Sequence, residues 1–294
     1  MSRKKTKVAI VALVLLAIVI GCVVGSSEAD TKGVSGTVNI AGSSALLPLA
    51  QNAAKTFMDK NPDSVINTNG GGSGQGLQQV SDGTIDIGDS DLLADEKLDK
   101  KSASKLVDHQ VAITVIAPII NKDAGVKSLT TEQLIKVFTG KVTNWKQVGG
   151  NDRQIVLVSR PSSSGTRATF EQYALRKHAS QSNQSLETDD SGTLIQMIQS
   201  VSGSIGYVAL SYLTGDPQVG IVSINGVKPS LKNVYNGKYT VWSYEHMYTN
   251  GQPKGAAKAF LQQMLSEEYG KKIEAMGYGI ASKLTAAAKA THTK

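Results

Sequence analysis

The chain has 294 residues, of which 40% are hydrophobic, 19% charged and 5% aromatic. That is a globular composition long enough for two cored domains, which excludes disordered and collagen-like classes. The formal charge is +7, but the cations Arg3, Lys4, Lys5 and Lys7 precede every acid, so removing residues 1–21 leaves only +3. No basic stripe interleaved with aromatics follows, and nucleic-acid binding is excluded.

In chain order, the basic stretch Arg3–Lys7 is followed by an apolar run, Val8–Ile20, and then by Gly21 and Cys22. Charge, short apolar segment and small residue is the order of a secretory signal peptide, and the run falls short of the ~20 residues of a spanning helix. Val19-Ile20-Gly21-Cys22 resembles a bacterial lipobox with valine in place of the usual leucine, so Cys22 is the expected lipidation site. An uncleaved anchor is the alternative, and both place the globular part outside the cytoplasm. Cys22 is the only cysteine, so no internal disulfide is available. Residues 22–36 are small, polar and aperiodic, as in a flexible, lipid-anchored tether.

Beyond the tether, β-type runs alternate with helical patterns. Val38–Ala41 predicts a strand, and Pro48 opens a helix in which Leu49, Ala53 and Phe57 recur at near-helical spacing. Val65–Thr68 is a second strand and Ile85–Gly88 a third, with a helix carrying Leu77 and Val80 between them. Val111–Ile120 is continuously apolar, as in a buried strand. Thr130 or Thr131 caps a helix through Leu134, Ile135 and Phe138. Further strands are expected at 155–159, 205–210, 219–224 and 241–248, and helices at 168–178 and 255–276. No repeat of 20–50 residues is present, which excludes solenoids and propellers. The alternation predicts an α/β class with binding loops at the strand ends.

Three loops share one construction, in which a strand runs into serine and glycine and a helix begins: Gly42-Ser43-Ser44-Ala45, Gly72-Ser73-Gly74-Gln75 and Ser162-Ser163-Ser164-Gly165-Thr166. Helix N-termini offer unpaired N–H groups and the positive end of the dipole, an anion-binding arrangement that needs little net charge. Arg160, four residues before Ser164, adds a planar fork suited to an oxyanion. Taken singly, each loop also reads as a flexible turn or an ordinary N-cap.

Six blocks, GSSALLPL (42–49), GGGSGQGLQQV (70–80), TIDIGDSD (84–91), FTGKVTNW (138–145), SRPSSSGTRATF (159–170) and GSIGYVAL (203–210), resemble those of the phosphate-binding proteins (PstS family) of bacterial phosphate-specific ABC importers. The resemblance covers nearly all of residues 37–280. It implies an α/β, two-domain periplasmic-binding-protein-like (type 2) fold with an interdomain ligand cleft and two hinge segments. Residues 37–116 plus 241–294 would form one domain and 117–240 the other. By block position it implies phosphate contacts from Ser44, the Ala45 N–H, Ser73, Asp91, Arg160, Ser164, Gly165 and Thr166. Family members often carry an aromatic where Ala45 stands. Asp89 is expected as a solvated neighbour, not a ligand.

Asp91 makes the expectation chemically specific. A carboxylate facing an anion is unfavourable unless the anion brings a proton to share, which phosphate does and sulfate does not. Asp91 as a helix cap is the plainer alternative. The implied partners are inorganic phosphate, the membrane subunits of an ABC importer and, through the lipid, the membrane; the protein is expected to be a monomer without cofactor. His109, His178, His246 and His292 show no metal-ligand spacing, and no catalytic constellation is identifiable, so no enzymatic role is expected. Trp145 and Trp242 read as core or interdomain packing. The alternatives are a carrier of another oxyanion (sulfate, molybdate or phosphonate) and a secreted phosphatase-type hydrolase.

Overall fold

The computed structural model describes residues 33–180, 186–215 and 218–292. The signal segment, Cys22 and most of the tether lie outside them.

Alternation of apolar and polar residues in β1 (Gly36–Gly42) buries Val38 and Ile40. They pack on helix α1 (Leu47–Lys60), where Leu49, Ala53 and Phe57 share one face and proline occupies the first turn. The chain continues through β2 (Ser64–Asn69), α2 (Ser73–Ser81), β3 (Ile87–Ser90) and the 15-residue β4 (Leu106–Ile120). Helix α3 (Thr131–Phe138) starts at a capping box: Thr130 Oγ1 accepts from Gln133 N–H at 3.1 Å, and Gln133 Oε1 from Thr130 N–H at 2.8 Å. Next come β5 (Val156–Ser159), α4 (Gly165–Tyr173), α5 (Ser191–Ser200) and β6 (Ser204–Ala209). Strand β7 (Trp242–Asn250), α6 (Gly255–Met264) and α7 (Ala286–Ala290) complete the main elements.

Among the described residues one sheet of nine strands runs β2-β1-β3-β7-β4-β6-β5 and ends on a short strand, Leu186–Glu187; Gly220–Ile221 pairs separately with β4. Strands β1, β2 and β3 are parallel, whereas β7 runs antiparallel to both β3 and β4. Strand β4 changes partner in mid-course. Leu106–Val115 face β7, whereas Ile116–Ile120 face β6. At the change, Trp242 lies opposite Val115 and Ile116 N–H donates to Val241 O at 2.9 Å.

Two large apolar clusters flank β4, the second packing on Ile113 and Val115 as well as on Ile116 and Ile120. One gathers Ile40, Leu49, Phe57 and Phe260; the other gathers Phe138, Trp145, Phe170, Tyr207 and Trp242. Leu284 and Ala288 join the second cluster, although the sequence grouped 241–294 with the first region. The tail then stacks His292 between Tyr173 and Trp242, with ring centroids 3.9 and 3.7 Å away.

Several boundaries differ from expectation for local reasons. Helix α4 begins at Gly165, not Ala168, because Ser164 caps it by accepting from Arg167 N–H at 3.2 Å. The helix expected over 255–276 stops at Met264, where Ser266 caps a separate turn, Glu267–Gly270. Strand β3 extends to Ser90 because β1 and β7 pair on either side of it, so Asp89 lies within the sheet. Helix α5 was not expected, although Asp190 accepting from Thr193 N–H at 2.6 Å is an ordinary acidic N-cap.

Candidate functional site

Four helices begin around one buried polar cluster. Ser43 and Ser44 lie in the turn from β1 into α1, Ser73 is the first residue of α2, Gly165 and Thr166 open α4, and Ser191 opens α5. Each start leaves amide N–H groups without intrahelical acceptors and points a positive dipole end toward the cluster, which attracts anions without requiring many cations.

Arg160 follows β5 and is 1% exposed. Its Nη1 donates to Ser191 Oγ at 3.2 Å, and its Nη2 donates to Ser44 Oγ at 3.0 Å and to Asp189 O. The hydroxyls of Ser44 and Ser191 are 2.9 Å apart, and Tyr212 Oη donates to Ser44 O at 2.8 Å. Burial pulls the guanidinium pKa down, opposed by Tyr207 and by Asp91, Asp190 and Asp189. Arginine still remains charged at any physiological pH.

Opposite the cation sits a carboxylate. Asp91 Oδ1 accepts from Ser43 Oγ and, at 3.4 Å, from Ser73 Oγ, while Oδ2 accepts from Thr166 Oγ1 at 2.9 Å. Ser73 Oγ in turn accepts from Asp91 N–H at 3.0 Å. Thr166 therefore ties α4 to the end of β3, and Gly74 N–H adds a bond to Ser163 O at 3.0 Å. The approach is closest at Gly165, where a Cβ would lie 2.2 Å from Ser73 Oγ and 2.9 Å from Asp91 Cβ. Gly42 is needed for a similar reason: its φ is +140°, and a Cβ would meet Asp89 O at 2.1 Å. A cavity of about 740 Å³ reaches Asp91 past Tyr173, His246 and His292.

Of the residues expected from the sequence, Ser44 and Arg160 share one hydrogen-bond group and Ser73, Asp91 and Thr166 the facing one, and Gly165 packs against the second. Ser164 caps α4 and keeps its hydroxyl proton free to donate elsewhere. The Ala45 N–H donates to Ser43 Oγ at 3.1 Å. Ser43, which the sequence reading left out, is thus the hydroxyl that links the first loop to Asp91. Ser191 was also missed, because nothing was assigned between 178 and 205. Its signal was Asp190-Ser-Gly-Thr ahead of the apolar Leu194, Ile195 and Ile198.

Asp89 requires correction. It is 1% exposed, not solvated, and its Oδ1 has no partner among the described residues. Burial, reinforced by the charge of Asp91, pushes its pKa well above the ordinary carboxylate range. Glu245 of β7 is 0% exposed and is pushed up for the same reasons. The sequence reading passed over it inside the apolar stretch 241–248, where a lone acid was itself the signal.

A family model described as a PBP superfamily domain matches residues 27–268. The chain is 48% identical over 248 residues to the phosphate-binding protein PstS of Bacillus subtilis (strain 168), which spans 84% of this chain and 81% of the relative. Identity to PstS of Borreliella burgdorferi is 25% over 213 residues, 69% of this chain and 75% of the relative. A Clostridium perfringens phosphate ABC transporter substrate-binding protein with bound phosphate superposes with a TM-score of 0.74 at 31% identity, over 83% of this chain and 98% of that one. These likenesses show the periplasmic-binding-protein-like α/β fold that the sequence blocks implied.

Proposed function

Because the chain belongs to the PstS family of phosphate-binding proteins within the PBP superfamily, we propose that it captures inorganic phosphate between Arg160 and Asp91 and delivers it to an ABC importer. The observation that carries this reading is a buried guanidinium and a buried, hydroxyl-held carboxylate near one another where four helices begin. Arg160 and the helix N-termini neutralise the anion. Asp91 accepts the hydrogen bond of a P–OH group, which a sulfate cannot offer. The hydroxyls of Ser44, Ser73, Ser164 and Thr166, with Ser191, rotate to the ligand oxygens, and the N–H groups of Gly165 and Thr166 donate from the first turn of α4. The Ala45 N–H exchanges Ser43 Oγ for a ligand oxygen.

Residues 37–116 with the strand from 241 form one lobe in this proposal, and 117–240 the other. The partner change of β4 at Val115/Ile116 and its bond to Val241 support hinges there. A ligand touching both lobes favours the closed form by its differential affinity, and the importer distinguishes loaded from empty carrier. The reading requires no bond-making by this chain, which acts as a monomer without cofactor.

The test is retention of radiolabelled phosphate by processed protein stripped of ligand. The proposal expects one phosphate per chain, no displacement by sulfate and no hydrolysis of a phosphate monoester. Hydrolysis would instead support the phosphatase-type reading. Gly165→Ala is expected to weaken phosphate binding by on the order of 10-fold or more, because the added methyl drives Ser73 and Asp91 away from α4. Titration of that variant measures the effect, and unchanged affinity would count against this contact as part of the site.

Cleavage before Cys22 and diacylation of its thiol would hold the carrier on the outer face of the cell membrane, since a single acyl chain anchors poorly. Intact mass of detergent-extracted protein checks this: a mature chain beginning with lipid-modified Cys22 is expected, and an unprocessed N-terminus would contradict it.

A further inference from the structure

Three carboxyl groups crowd one end of the sheet. Strand β7 pairs antiparallel with β3, His246 opposite Ser90 and Met247 opposite Asp89, which carries Glu245 to the level of Asp91. On its other side Glu245 lies opposite Ala112 of β4, close to Thr114. Asp89, Asp91 and Glu245 are 1%, 3% and 0% exposed. Asp91 has three hydroxyl donors, but Glu245 Oε1 and Oε2 have no partner among the described residues, nor does Asp89 Oδ1.

Most groups around Glu245 are committed or acidic; the hydroxyl of Thr114 has no other partner among the described residues and is left to donate to it. The phenols of Tyr212 and Tyr278, which sense its charge, donate to Ser44 O and Ala45 O. Arg160 acts on Asp91 and spends its Nη groups on Ser44, Ser191 and Asp189. His246 holds Asp108 through Nδ1 at 2.8 Å. An ionised Glu245 would therefore be a buried charge with one hydroxyl, that of Thr114, as donor, beside a second negative charge, an arrangement that proteins relieve by neutralising the group.

We propose that Glu245 determines specificity by holding a proton against the side of Asp91 away from the ligand, as a hydrogen-bond donor to that carboxylate, so that Asp91 meets the ligand only as an acceptor. The proposal rests on the phosphate-capture reading. A donated O–H from Glu245 puts the proton of this carboxyl pair on the side away from the ligand and leaves the ligand-facing oxygen of Asp91 to accept. Without that donor Asp91 loses one of the hydrogen bonds that fix it as an acceptor, and the preference for an oxyanion that brings its own proton weakens. Burial, then the charge of Asp91, then sharing a hydrogen bond with Asp91 and the charge of Asp89 push Glu245 well above its ordinary 4.5, with Thr114 opposing.

The test uses the full chain in detergent, stripped of ligand, with Glu245→Gln and Glu245→Leu. Glutamine keeps a neutral donor and is expected to hold the phosphate-to-sulfate affinity ratio within about threefold of wild type. Leucine removes the donor and is expected to lower that ratio about tenfold or more. Infrared difference spectra at pH 7 should lose a protonated-carboxyl band in Glu245→Gln. The melting temperature gives a further readout that does not depend on ligand. Between pH 4.5 and the raised folded-state value, the unfolded chain releases the Glu245 proton while the fold keeps it, so wild-type stability falls with rising pH. Glu245→Gln lacks this loss, so it melts higher than wild type at pH 7 and the gap closes near pH 4. Unchanged selectivity in Glu245→Leu, or an unchanged infrared band in Glu245→Gln, overturns the role of Glu245 alone. Failure of wild type to bind phosphate overturns the capture reading, and the specificity role with it.

Discussion

Replacing Arg160 with alanine is expected to weaken phosphate binding by on the order of 10²- to 10³-fold. The estimate follows from the ~2–5 kcal/mol typical of truncating one partner of a buried, hydrogen-bonded charge pair. The guanidinium is pinned before any ligand arrives: Nη1 on Ser191 and Nη2 on Ser44 orient the fork, and Asp189 O fixes its outer edge. Its Nε has no partner among the described residues. An anion therefore meets a planar donor set whose ordering entropy the fold has already covered. Arg160→Lys keeps the charge but loses the plane, and should recover about tenfold of the loss. Calorimetric titration of both variants decides the matter, with circular dichroism to confirm folding. Equal affinities for the alanine and lysine variants would contradict a bidentate contact.

Asp91→Asn has the second large effect, on selectivity more than on affinity. The carboxylate is held by the hydroxyls of Ser43, Ser73 and Thr166 and is only 3% exposed, so it cannot turn away from an oxyanion placed beside Arg160. Asparagine substitutes an amide that donates through N–H, which welcomes a fully deprotonated anion and removes an acceptor from P–OH. The phosphate-to-sulfate affinity ratio should fall by on the order of 10²-fold or more, phosphate weakening as sulfate gains. Competition between the two anions on the variant measures this, and an unchanged ratio would leave Asp91 a purely structural residue.

Much of this arrangement was legible in the sequence because each site loop sits where a strand runs into a helix, and that junction is written in local residue types. Ser44, Ser73, Asp91, Arg160 and Thr166 fall at such junctions and gather into two neighbouring hydrogen-bond groups, one on Arg160 and one on Asp91. What local pattern does not encode is which hydroxyl of a Ser-Ser pair turns inward. Ser43 bonds Asp91 while Ser44 faces Arg160, a division set by pairing Gly42 with Asp89 across β1 and β3. Asp89 and Glu245 were misjudged or passed over for the same reason: an acid next to a loop or within an aromatic stretch ordinarily finds water, and only the strands flanking β3 and β7 remove it here. Ser191 escaped notice because its helix follows a polar stretch with no strand signal. The resemblance groups 241–294 with the first domain; Leu284 and Ala288, near its end, pack in the second apolar cluster, a contact no local pattern encodes.

The account turns on whether one buried site takes an oxyanion that carries a proton and refuses one that does not. Isothermal titration of processed protein, stripped of any co-purified ligand, with phosphate and then sulfate tests this directly. The account predicts tight binding of one phosphate per chain and no response to sulfate. Comparable binding of both anions would contradict the proton-reading role of Asp91, and no heat from either on demonstrably empty protein would contradict phosphate capture itself.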